Sequence, residues 1–90
     1  MDKKELLSEI DRTIFYIETV IKKENKKSLI VFVNDLDKLK AKVIANEVNR
    51  NPLKGFARRY AEIYSDYLHP ITDILYKAEK SVDLYLDNKS

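Results

Sequence analysis

The chain has 90 residues, 44% of them hydrophobic and 36% charged, with a formal net charge of only +2. That length allows one domain, and a single glycine with two prolines leaves almost no turn chemistry for a β protein. The absence of cysteine excludes disulfides and thiolate metal sites, and the charge is too small to mark a nucleic-acid binder by itself.

The first predicted helix opens at Asp2, with Glu5 placed to complete a capping box. Leu7, Ile10, Ile14, Ile17 and Ile21 follow at alternating spacings of three and four, flanked by Leu6 and Val20, and the helix is expected to run to about residue 24. Phe15 falls on its polar side. Residues 22–27, KKENKK, form a positive loop, and Ser28 is a fair N-cap for a second helix. The run Leu29–Val33 is β-prone, yet Leu29, Phe32, Val33, Leu36, Leu39 and Val43 continue one helical stripe, and no second strand exists to pair with it. The spacing predicts helix over about 28–49, with Val31 pointing away from the stripe and Ile30, Ile44 and Val48 widening it.

Asn51 and Pro52 match the N-cap and first position of a third helix, and Gly55 is tolerable in its first turn. On a helical wheel Leu53, Phe56, Ala57, Tyr60, Ile63, Tyr64, Tyr67 and Leu68 share one arc of roughly 140°. Ile71, Ile74, Leu75, Ala78, Val82, Tyr85 and Leu86 fall in the same arc beyond Pro70. This preserved phase predicts one helix over residues 52–88, kinked at Pro70, which loses its bond to the Asp66 carbonyl. The alternative is a helix boundary at His69-Pro70.

The expected fold is therefore an all-α, up-down-up bundle of three long helices, or four if the chain breaks at Pro70. A third helix of 37 residues would span ~55 Å, against ~33 Å for each of the others. Its apolar end, Ile74 to Leu86, would need cover, from a second copy in a homodimer or by folding over the bundle. Phe15, Ile30, Val31, Tyr76, Val82, Leu84 and Leu86 are the expected partner-binding residues.

Little chemistry accompanies this fold. His69 is the single histidine and projects from the polar face, with no nucleophile near it in a recognisable context. Glu62, Asp66, Asp73, Glu79 and Asp83 are matched by Arg58, Arg59, Lys77 and Lys80, as in ordinary surface ion pairs. No catalytic, cofactor or metal residue is expected, and no small-molecule substrate. Tyr60, Tyr64 and Tyr67 suit a core better than a base-stacking platform. Arg50, Lys54, Arg58 and Arg59 crowd the start of the third helix, where the dipole is already positive, and are a candidate anion site for phosphate, nucleic acid or an acidic partner.

The longest apolar run is far below the ~20 residues needed to span a bilayer, and the N-terminus lacks the apolar core of a signal peptide. A soluble, cytoplasmic protein is expected. In size, helical content and basic charge the chain is similar to the cytoplasmic immunity proteins of bacteriocin producers, but no motif matches and no functional residue carries over. The leading expectation is a non-enzymatic protein-binding module of the immunity, inhibitor or adaptor kind. The alternatives are a small nucleic-acid-associated regulator using Arg50–Arg59, and a peripheral membrane contact through the lysine loop with Ile30 and Val31.

Overall fold

The computed structural model describes residues 1–64 and 69–89, the side chains of residues 64, 88 and 89 apart. Its described residues form an all-α bundle of four helices: α1 (Lys3–Glu24), α2 (Ile30–Ile44), α3 (Phe56–Tyr64) and α4 (Pro70–Lys89). A single 3-10 turn, Lys27–Leu29, leads into α2.

α1 begins where the sequence predicts. The Asp2 carboxylate accepts a hydrogen bond from the Glu5 backbone N–H at 2.8 Å, holding one of the amides that a helix start leaves unpaired. The buried face is Leu6, Ile10, Thr13, Ile17 and Val20, with Leu7, Ile14 and Ile21 only partly covered. The stripe is thus rotated towards the flanking residues. Thr13 is accommodated because its hydroxyl donates to the Glu9 carbonyl at 2.8 Å. Asn25, at φ 53°, ends the helix in the left-handed region.

α2 buries Phe32, Val33, Leu36, Leu39 and Val43 as the stripe predicts, and Leu29 beside them. Its ends differ from expectation. Ser28 makes no side-chain cap, since the 3-10 turn occupies that position. The helix stops at Ile44 instead of continuing to about 49. Asn46 adopts φ 58°, the Glu47 N–H bonds the Lys42 carbonyl at 2.8 Å and the Asn46 N–H bonds Val43 at 3.1 Å. These are the two bonds of a Schellman stop. Val48 is buried nonetheless, from the connecting segment.

That segment also delays the third helix. Asn51 does not cap a helix at Pro52. Its Oδ1 accepts from Leu53 N–H at 2.8 Å, and a turn follows. Gly55 at φ 84° breaks the helical path, so α3 starts at Phe56. Only glycine adopts that conformation without strain.

The continuous helix kinked at Pro70 is not what forms. The boundary alternative holds: α4 starts at Pro70, with His69 in the N-cap position and its Nδ1 accepting from Ile71 N–H at 3.0 Å. A proline at the first helical position loses nothing, because that N–H would be unpaired anyway. α4 then runs antiparallel to α3. Asn51 Nδ2 reaches the Glu79 carbonyl (2.8 Å) and Asp83 (2.9 Å), and Gly55 N–H reaches Glu79 Oε1 (3.0 Å). At the other end the Tyr60 and His69 rings lie 5.8 Å apart. Tyr67, Leu68 and the Asp66 carbonyl lie outside the described residues.

The return of α4 removes the length mismatch. The described molecule is 38 Å along its longest axis, and Leu75, Ala78, Val82 and Tyr85 are buried against their own chain. A second copy is not needed to cover the apolar tail. α1 lies between α2 and α4, α3 packs on α4, and α2 and α3 meet through side chains more than by close backbone approach. The Phe32 and Phe56 rings bridge that last gap edge to face, centroids 5.0 Å apart.

Candidate partner interface between α2 and α3

The gap between α2 and α3 brings exposed apolar and basic side chains together. Arg59 spans it. Its guanidinium lies 5.1 Å from the Phe32 ring and 5.7 Å from Phe56, and Nη1 is 3.4 Å from Asp35 Oδ2. Val31 lies one turn before Asp35 on α2, and Ile63 one turn after Arg59 on α3. Because the two helices run in opposite directions, the Arg59–Asp35 pair puts Val31 and Ile63 at the same end of the seam. Both are exposed, Val31 at 44% and Ile63 at 51%. Towards the other end, Asp35, Lys38, Leu39, Lys42 and Pro52 wall one hollow, and Lys42, Glu47, Arg50 and Pro52 are among the walls of the next. The seam therefore carries an apolar end, a central ion pair and a basic end.

The expected partner residues do not form one patch. Ile30 and Val31 sit at the lysine-loop end of α2, both exposed. Phe15 is 71% exposed on the outside of α1. Tyr76 and Leu84 are exposed on α4 about two turns apart, Tyr76 beneath the Lys80 ammonium at 5.4 Å. Because α4 returns along α3, Leu84 lies towards the Asn51 end, away from Ile30 and Val31. Val82 is fully buried and Leu86 partly so, which removes Val82 from any surface. Ile63 was expected in the core. α3 turns Phe56, Tyr60 and Ala61 inward instead, leaving Ile63 at the edge of the arc and open to water.

The expected anion quartet also divides. Arg58 pairs with Glu62 at 3.2 Å on the exposed side of α3, while Arg59 is held by Asp35 and two rings. Arg50 and Lys54 are exposed. Arg50 joins Lys42 in lining one hollow. Lys38 and Lys42 have no sequence signal of their own, since surface lysines on a helix are ordinary. Only the packing of α2 beside the 50–52 segment singles them out.

His69 does not project into solvent. Its side chain is 12% exposed and Nε2 meets Glu24 Oε2 at 2.7 Å. Since Nδ1 accepts the Ile71 N–H, the fitting neutral tautomer carries its proton on Nε2 and donates it to Glu24. Lys26 lies 3.6 Å from Glu24 Oε1 and donates to the Tyr60 hydroxyl at 2.8 Å. Glu24 is held below its ordinary carboxylate value, first by the hydrogen bond from His69 and further by the Lys26 ammonium. The cluster ties the ends of α1 and α3 to the start of α4, and it gives the buried Tyr60 hydroxyl a partner.

No helix among the described residues is long and apolar enough to cross a membrane. No protein-family model, curated protein or solved structure matches this chain.

Proposed function

We propose that the protein is a non-enzymatic protein-binding module of the immunity, inhibitor or adaptor kind, and that the α2–α3 seam is the surface it offers. The observation that carries this reading is Val31 and Ile63 exposed together at one end of the seam. Single exposed apolar residues are ordinary on any protein. Two at one end of a basic furrow, held in register by Arg59–Asp35, have the mixed character of a recognition surface. The lack of cysteine suits a reducing compartment such as the cytoplasm. The nucleic-acid alternative through Arg50, Lys54, Arg58 and Arg59 is weakened by the carboxylates that engage Arg58 and Arg59.

A photo-crosslinking residue placed at Val31 or Ile63, and at Lys4 or Asp87 as controls, tests the reading in the native host. The expected result is one adduct of the same mass from both seam positions and none from the controls. Adducts from the controls alone, or none from the seam, would contradict it.

A further inference from the structure

We infer that the occupant of the seam is an acidic, amphipathic segment of a partner protein, a refinement that rests on the reading above. Lys38, Lys42 and Arg50 line two adjoining hollows that share Lys42 and Pro52 as walls. Among the described residues no carboxylate forms an ion pair with any of the three. Asp35, which lines the same hollow as Lys38, is already engaged by Arg59, and Glu47 lines the other hollow without an ion pair to Lys42 or Arg50. Lys38 and Lys42 stand one turn apart on α2, a spacing at which like charges repel. An incoming carboxylate relieves that repulsion, and water at an open rim relieves it only in part.

The chemistry of the rest of the seam decides between a protein and a nucleic acid. A phosphate backbone would match the cations, but it has nothing to set against Val31 and Ile63. A peptide with carboxylates at one end and apolar side chains at the other matches both ends. From Val31 to Lys42 the seam is ~17 Å long at the helical rise, so an acidic helix of about three to four turns covers it.

The test uses the 15N-labelled full chain and three probes: an amphipathic four-turn peptide with glutamates at one end and leucines at the other, its lysine-for-glutamate counterpart, and a DNA duplex. The acidic peptide is expected to shift the amides of residues 31, 38, 42, 50 and 63 saturably. Lys38→Glu with Lys42→Glu is expected to weaken it at least tenfold. Lys4→Glu with Lys77→Glu, which changes the net charge equally on the α1 and α4 surfaces, should change the affinity less than twofold. Failure of the peptide to shift those amides at millimolar concentration overturns the inference, as does equal weakening by the two double variants. Preferential shifts by the lysine peptide or the duplex also overturn it. If the photo-crosslinks from Val31 and Ile63 persist in that case, the seam still binds protein and only the acidic class falls. If they are absent too, the seam reading falls with it.

Discussion

Arg58 and Arg59 are neighbours in sequence with different jobs. Arg58 reaches only Glu62, with both side chains more than half in water, a kind of pair that contributes little. Arg59 lays its guanidinium over Phe32 and Phe56 and meets Asp35, so its loss removes packing as well as charge. Arg58→Ala is expected to change stability by less than ~0.5 kcal/mol, and Arg59→Ala to cost about 1 kcal/mol, measurable by urea unfolding. Equal costs would show that Arg59 does not bridge α2 and α3. Nothing in local spacing separates the two, because the partners of Arg59 lie on another helix. The same holds for His69, which the polar side of the wheel places in solvent and the return of α4 places against Glu24. Glu24 gives a pH test. Its folded-state value lies below the ordinary 4.5, so it contributes stability that is present above that value and lost as pH falls through the lower one. Unfolding free energy should therefore drop less between pH 6 and pH 3 in Glu24→Gln than in the wild type. Parallel pH profiles for the two proteins would remove the Glu24–His69 contact from the stability of the fold.

Element existence was largely legible; three of the boundaries were not. The α1 cap and the α2 stripe followed from residue spacing, because hydrophobic burial and one aspartate decide them locally. The end of α2 turned on Asn46 taking a left-handed conformation, and the start of α3 on Gly55 doing so. Either residue is also compatible with continued helix on paper. The break at Pro70 was obscured by phase. An arc of ~140° covers more than a third of the circle, so two separate helices share it by coincidence often enough that a phase match does not establish continuity. The wheel also carries no direction, and an antiparallel return looks the same as a continuation. Gly55→Ala is expected to cost about 1 kcal/mol in thermal or urea unfolding. A Cβ there would meet nothing within 4 Å, so the cost is conformational alone. No loss of stability would show that the backbone at 55 is not held at positive φ. Pro70→Ala should be nearly neutral, within ~0.5 kcal/mol, because a first-turn proline forgoes no hydrogen bond.

At the scale of the whole molecule, α4 supplies its own cover. Val82 is fully buried among side chains of the same chain, so Val82→Asp should unfold the protein or destabilise it by more than ~3 kcal/mol, the cost of an unpaired carboxylate in an apolar core. A folded variant differing from the wild type only in sedimentation would instead make Val82 an intermolecular contact. α4 folds back along α3 and buries Leu75, Ala78, Val82 and Tyr85 inside the bundle. Double electron–electron resonance between nitroxides on Lys54→Cys and Lys80→Cys reads that return directly. Both positions are exposed, and the contacts from Asn51 and Gly55 to Glu79 place them side by side. The antiparallel pair predicts a label separation near the bundle's 20 Å width. A distance of ~40 Å, the rise of one unbroken helix between the two positions, would contradict it.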